Sequence, residues 1–446
     1  MNCSPRLQSP LVVLLSMSLL VACGPDDPPG DDPQEAPGTL LEGETERDTD
    51  PDVDAETFDE FTADNRDFAF AMFDELRAEE SDDENVFVSP HSISSALAMT
   101  YEGAADNTRD EMADALHFGV GDEHIHPAFN KLDLELDSRT DIETDEDEDL
   151  ELEIVNQTWG QDDYPFLDSY LDVLSEHYGA GMYAVDFTTD YEQIRQEINA
   201  WVEDQTEDLI EDLLPPNSLE PLTRLVLVNA IYFYGTWEDT FDSDSTRDRP
   251  FELLDGSEVD VDMMRHDDMT SAGYHEGDDA TAVSLPYVGG ELAMVAVKPT
   301  DDEADFVSWE EEFSRQDFDD VVDGLEQQQG FVDLPKFEDE GEYNLIPAFE
   351  QLGMVDAFDD IDADFSNMAD LEEAMENLYI SGIFHQTFIE VDEEGTEAAA
   401  ATGVVVGADS APIPDFEVSF DRPFYYAIYD HGTDTILFMG RMVDPS

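Results

Sequence analysis

The stretch from Arg224 to Trp237 (RLVLVNAIYFYGTW) constrains the fold of this chain more than any other. Branched and aromatic residues fill it, so it reads as a strand. Its apolar side chains stand at neighbouring as well as alternate positions, so both faces of that strand must be covered. A strand buried on both faces needs sheet neighbours on each side and a layer above and below. The 446 residues can supply these, with 41% hydrophobic and 10% aromatic residues. A chain this long often divides into domains, yet large mixed α/β folds reach the length as one.

A second stretch has the opposite character. From His385 to Pro414 the sequence runs HQTFIEVDEEGTEAAAATGVVVGADSAPIP. Phe388–Val391 alternates as a strand. Glu393-Glu394-Gly395-Thr396-Glu397 then leads into Ala398, Ala399, Ala400 and Ala401, followed by Thr402, Gly403 and three valines. Small side chains have little to bury, so this run cannot hold itself in a core. It meets no steric obstacle, however, if laid between two existing strands. Two readings stand on the residues alone: a helical turn with a flexible linker, or a spare strand waiting outside a sheet. Gly395, at roughly 1 kcal/mol against helix, and Val404-Val405-Val406 weigh against the helical one.

Both stretches resemble parts of the serpins, the serine protease inhibitor superfamily. Glu393 to Thr402 is similar to the proximal hinge of the serpin reactive-centre loop. Arg224–Trp237 resembles the family's central strand, with Asn229 and Trp237 at its marked positions. Asn85–Met99 (NVFVSPHSISSALAM) is mechanically a short strand, a proline turn and a serine-capped helix start. It is similar to the strand and helix at the centre of the molecule. Ile198, Asn199, Trp201, Val202, Thr206 and Ile210 match the helix lying across the main sheet. Phe331–Phe337 and Phe416–Val443 complete the order, the latter as two apolar strands joined at Asp430-His431-Gly432-Thr433. The resemblance covers residues 58–444 in the family's order.

The resemblance implies an α+β fold of three mixed sheets surrounded by about eight or nine helices. It places an exposed reactive-centre loop over residues 393–415 of a single domain spanning 58–446. It also implies a shutter, a buried hydrogen-bond cluster of Ser89, Ser92, Asn229 and His385 under the point where the main sheet opens, and a breach at Trp237. The activity implied is suicide inhibition of a serine protease, or alternatively a cysteine protease. The target attacks the loop, and the freed hinge inserts as a new strand before the acyl-enzyme can hydrolyse. Insertion needs small inward side chains: Thr396, Ala398, Ala400 and Thr402 supply one face, and Glu397, Ala399 and Ala401 the other. The first proline, Pro412, comes after the hinge. A serpin fold used as a non-inhibitory binding or chaperone-like module is the alternative, which the hinge composition disfavours.

Counting the family's hinge length from Gly395 puts the cut between Asp409 and Ser410. Counting back from Arg422-Pro423-Phe424 gives Ala411 or Pro412, so the two counts disagree. Asp409 would select acid-specific proteases, whereas Ala408 or Val406 would suit elastase-like or subtilisin-like ones. No GxSxG, HExxH, CxxC or phosphate-binding glycine loop occurs, so an inhibitor rather than an enzyme is expected, with no cofactor and no metal. His117, His124 and His126 fit no zinc spacing and read as surface histidines. Asp141–Asp149 reads as a solvated loop, with calcium binding as a weaker alternative.

Against 114 acidic residues stand 17 basic ones, a formal charge of −97. Nucleic acid is thereby excluded as a partner, since phosphate contacts need Lys and Arg surfaces. The acid load is dispersed, as in proteins adapted to high salt, where self-repulsion is screened. Residues 1–22 read as a signal segment, with Arg6 before the apolar run Leu11–Leu20. Leu20-Val21-Ala22-Cys23-Gly24 resembles a bacterial lipobox, which implies a lipid on Cys23; an ordinary signal peptide with a chance cysteine is the other reading. The lipid would be the only membrane contact, on the outer membrane or cell surface, unless the chain is secreted. Residues 23–57, poor in apolar side chains, read as an extended acidic tether. The expected unit is a monomer.

Overall fold

The computed structural model describes residues 36–140, 150–206, 209–210, 212–266, 268–396 and 413–446. Glu35–Ser446 form one compact unit. One sheet holds β1 (Thr39–Leu41), β3 (Leu150–Gln161), β4 (Met182–Val185), β5 (Leu225–Thr236), β12 (Phe337–Asn344), β13 (Ile383–Val391) and β14 (Gly395–Thr396). Its strand order is β1-β4-β3-β5-β14-β13-β12. The other holds β2 (Val86–Val88), β6 (Arg247–Glu252), β7 (Glu258–Arg265), β8 (Thr270–Glu276), β9 (Ala280–Pro286), β10 (Leu292–Pro299), β11 (Glu326–Pro335), β15 (Phe416–Ser419), β16 (Phe424–Asp430) and β17 (Thr435–Met442). Its order is β2-β17-β16-β10-β9-β8-β11-β7-β6, with β15 beside β11.

Where three sheets are expected, the described strands thus form two hydrogen-bonded ones. The cause is β11, whose residues 326–330 pair with β8 and whose residues 333–335 pair with β7. One long strand therefore joins what would otherwise be separate sheets. Ten α-helices are described, and the count includes pieces as short as Leu371–Ala374.

The central strand β5 is covered on both faces, as its composition requires. Leu225, Leu227, Ile231 and Phe233 enter the main core. The alternate residues Val226, Val228 and Ala230 enter a second core with Trp159 and with Ile194, Ile198 and Val202 of a helix, Phe187–Gln205, that crosses the sheet. Each large apolar side chain so buried contributes about 1.5–3 kcal/mol. α1 (Ala55–Glu79) packs instead against β2 and β17 of the ten-stranded sheet, capped by Asp54 Oδ1 accepting from Thr57 N at 3.1 Å, with Phe61, Phe68, Met72, Phe73 and Leu76 buried. α2 (Pro90–Gly103) is capped by Ser89 and carries Pro90 in its first turn, where a missing N–H costs nothing.

The second half of the expected tether belongs to the body. β1 pairs antiparallel with β4, from Thr39 opposite Ala184 to Leu41 opposite Met182. Trp159 Nε1 donates to Pro37 O at 3.1 Å, and Gly43 N to Ser175 Oγ at 2.9 Å. Arg47 Nε donates to Asn130 Oδ1 at 3.1 Å, and Asn130 Nδ2 to Asp48 O at 2.6 Å. Low hydrophobicity argues for a solvated segment, but docking here runs through backbone pairing and polar bonds, which hydrophobicity does not record. The first helix accordingly starts at Ala55, three residues before Phe58.

Candidate functional site: a sheet held open at one end

β5 and β13 are parallel neighbours, but only along part of their length. From Leu227 opposite Ile383 to Ile231 opposite Thr387 they pair directly. Beyond that they part, and β14 lies between them: Gly395 faces Thr236 and Thr396 faces Gly235 on one side, while Thr396 faces Val391 on the other. The sheet is thus split at one end, with the first two residues of a further strand already in the gap.

Several bonds hold this wedge. Asp392 Oδ1 accepts from Glu394 N at 2.9 Å and Gly395 N at 3.2 Å, forming a tight turn off β13. Gly395 is required by close approach, since a Cβ there would lie 2.1 Å from Gly235 O. Thr396 is fully buried and shares a 2.9 Å hydrogen bond with Tyr287 Oη. Trp237 stacks on Tyr287, centroids 4.5 Å apart, and donates from Nε1 to Asp392 O at 3.0 Å. Its backbone N–H donates to Glu394 O at 2.9 Å. Glu393 accepts from Lys336 Nζ at 2.7 Å and from Thr246 Oγ1 at 2.6 Å. Burial alone would raise the Glu393 carboxyl, but the hydrogen bonds from Lys336 and Thr246 outweigh it and hold it below the usual carboxylate range.

Where the gap closes, four strands present polar side chains in one row: Asn156 on β3, Asn229 on β5, His385 on β13 and Tyr343 on β12 are successive cross-strand partners. Ser89 N donates to His385 Nε2 at 3.1 Å, so that nitrogen carries no proton and Nδ1 donates to Asn229 Oδ1. Asn229 Nδ2 in turn donates to Ser92 Oγ and Asn156 Oδ1. Ser89 Oγ donates to Leu437 O at 2.7 Å, and Tyr343 stacks beside His385. Burial pushes the fully enclosed His385 imidazole down to about 3, so it stays neutral. Its free lone pair is occupied by a backbone N–H, and the Ser89 hydroxyl points at a carbonyl. The geometry is that of a satisfied polar lock rather than of a nucleophile with its base.

All four expected shutter residues, Ser89, Ser92, Asn229 and His385, therefore meet, and Trp237 bonds Asp392 O and Glu394 O in the turn that carries the hinge residues Glu393, Gly395 and Thr396. Glu397, Ala398, Ala399, Ala400, Ala401, Thr402, Ala408, Asp409 and Ser410 lie outside the described residues, as do Cys23 and Asp141–Asp149. Among the described residues no group of three or more His, Cys, Asp or Glu is placed to hold a metal ion. His126, read as a surface histidine, is buried between Tyr178 Oη at 2.8 Å and Glu102 at 3.0 Å, because the helix carrying it turns that face inward. Asn156, Lys336, Thr246 and Tyr287 were not foreseen. An asparagine in the stretch that forms β3, and one of only three lysines in so acidic a chain, were the available signals.

A sequence model of the serpin family, described as "Serpin (serine protease inhibitor)", matches residues 63–445. Among curated relatives, leukocyte elastase inhibitor A of Mus musculus is 37% identical, over 85% of this chain and 97% of its own length. A serpin-like protein of Methanosarcina mazei is 36% identical, over 85% and 86%. The native state of the thermophilic serpin tengpin superposes with a TM-score of 0.76 at 28% identity, covering 91% of this chain and 97% of that one. Uncleaved ovalbumin gives 0.75 at 28% identity, over 86% and 100%.

Proposed function

This chain belongs to the serpin family, whose members are in general protease inhibitors, and we propose that it traps serine proteases by inserting its cleaved loop into the seven-stranded sheet. The observation that carries this reading is β14. Its two residues occupy the gap between β5 and β13, continuous with a run of small residues and with no proline before Pro412. Thr396 points inward, so Ala398, Ala400, Thr402, Val404 and Val406 follow it inward by alternation. None of these is too large or too polar for the slot.

The cut falls between Asp409 and Ser410, with Ala408 as the next candidate. Acylation at Asp409 tethers the protease, insertion drags it along the body, and displacement of its catalytic groups by an ångström costs orders of magnitude in deacylation. The energy comes from new backbone pairing on both sides of the inserted strand. The chain acts as a monomer, anchored by lipid on Cys23. Loss of labelled-palmitate incorporation in Cys23→Ser tests the anchor.

The decisive experiment incubates the full-length chain in molar salt with a Glu-specific serine protease, an elastase and a subtilisin. A band stable to boiling at the summed mass, with a released peptide beginning at Ser410, is the expected result. Thr402→Arg, which places a charge at an inward position, should be cleaved and released without that band. Cleavage of the parent chain with no covalent band would overturn the inhibitory reading in favour of a binding module.

A further inference from the structure

Five cross-strand pairs close the seam between β5 and β13, from Leu227–Ile383 to Ile231–Thr387. β14 lies antiparallel to both strands and enters at the Ile231–Thr387 end. A strand that continues it must part these pairs in turn, Val228 from Phe384 among them. Side chains along the seam alternate between two faces. On the inner face Asn229 and His385 belong to the polar row described above. On the outer face Val228 and Phe384 are partners, and both belong to the second core.

Membership of that core is lopsided. Trp159 comes from β3, Val185 from β4, Val228 from β5, Ile198 from the crossing helix Phe187–Gln205, and Leu214 from the connection between that helix and β5. Among the described residues, Phe384 is the one buried member that β13 contributes. The connection is fastened to the helix, since Leu214 N donates to Asn199 Oδ1 at 2.8 Å and Asn199 Nδ2 to Leu214 O at 3.0 Å. Helix, connection and β5 thus form one body on one side of the seam, and Phe384 reaches into it from the other.

Admitting a strand widens the spacing of its neighbours from about 4.8 Å to about 9.6 Å. Phe384 travels with β13, so its ring must leave Val228. Apolar contact is short-ranged, and a gap of about 1 Å already forfeits up to half of the attraction. A 350 Å³ cavity lies beside the ring, lined also by Leu213, Pro215, Ser218, Tyr343 and Ser381. The ring therefore has free volume next to it and can leave its seat without first displacing a packed neighbour. Its hold is apolar, so molar salt, which screens ion pairs, leaves it intact.

We propose that Phe384 bolts the outer face of the seam, as a positioning residue whose withdrawal limits the rate of loop insertion. The inference rests on the inhibitory reading above and deepens it. While the bolt is seated, the uncleaved chain keeps its loop outside, and the acyl-enzyme has longer to hydrolyse. A smaller side chain speeds insertion, which raises trapping per cleavage and shortens the life of the uncleaved chain.

The test compares Phe384→Leu and Phe384→Ala with the parent full-length chain. Val185→Ala, which trims the same core on β4, two strands away from β5, is the control. Two quantities are read in molar salt: the ratio of covalent complex to released cleaved chain, and the half-life of trapping capacity in the uncleaved chain. Losing part of a buried ring predicts, for Phe384→Leu, a ratio higher by about three- to tenfold and a half-life shorter by a similar factor. Phe384→Ala should go further in both, and if it fails to fold Phe384→Leu decides. If the parent already traps at every encounter, the half-life alone decides. Phe384 variants that match Val185→Ala in both readouts overturn the bolt while leaving inhibition standing. A parent that forms no complex overturns the inhibitory reading, and the bolt with it.

Discussion

Glu393 and Lys336 join the hinge to the end of β11 across the breach. The pair is partly exposed, so its coupling should be about 1 kcal/mol. A double-mutant cycle on Glu393→Gln and Lys336→Met, followed by thermal unfolding in molar salt, measures it, and zero coupling would deny the pair any role in seating β14. Because the Glu393 carboxyl is held low, its contribution is present above pH 4.5 and fades as pH falls through its folded-state value. His385 gives the opposite kind of group. It is neutral when folded but charges in the unfolded chain below pH 6.5, so its burial costs stability as pH falls from 6.5 towards about 3. His91, pushed by burial to about 4, acts in the same sense. Asp339, raised by burial to about 7, opposes them, since its stability is greatest below pH 3.8 and is lost as pH rises through 7. The clean readout is therefore a difference. His385→Gln should be less stable than the parent at pH 7, with the gap closing by up to about 1.4 kcal/mol per pH unit below 6.5. A gap that stays constant with pH would mean that His385 is not buried neutral.

At the scale of elements, β1 and the strap behind it cap the outer edge of the seven-stranded sheet at β4. Removing residues 24–53 would expose that edge, leave the Trp159 indole N–H without Pro37 O, and strip the partners from Asn130. Several net hydrogen bonds at about 1 kcal/mol each predict a destabilisation of about 2–4 kcal/mol. Circular dichroism melts of the shortened and full chains would test this, and equal midpoints would return the segment to the role of a passive tether. β5 was legible because both its faces are apolar, and the β16–β17 hairpin because its turn residues sit between two apolar runs. β1 was not, since a three-residue edge strand with mixed side chains carries no periodicity to read.

Across the whole molecule, charge sets the conditions under which the fold is stable. Every described arginine except Arg247 stands in an ion pair with Asp or Glu, and the three lysines donate to Val53 O, Asp302 and Glu393. The few cations are thus engaged inside the fold, and the remaining carboxylates repel one another. Raising ionic strength from 0.15 M to 1 M shortens the screening length from about 8 Å to about 3 Å. The unfolding midpoint should therefore rise steadily over that range. A midpoint indifferent to salt would show that the acidity carries no such burden.

The sequence by itself determined the buried central strand, the small-residue hinge with its glycine, and the family they resemble, because each depends on side-chain size and polarity along a short contiguous run. Only the tertiary structure decided that Asn156 completes the row with Asn229 and His385, that Lys336 meets Glu393, and that Arg224 reaches Glu376. Those partners are 73, 57 and 152 positions apart. Which of many possible carboxylates and amides meets a given cation is set by strand register and sheet order, and these follow from packing the whole chain at once.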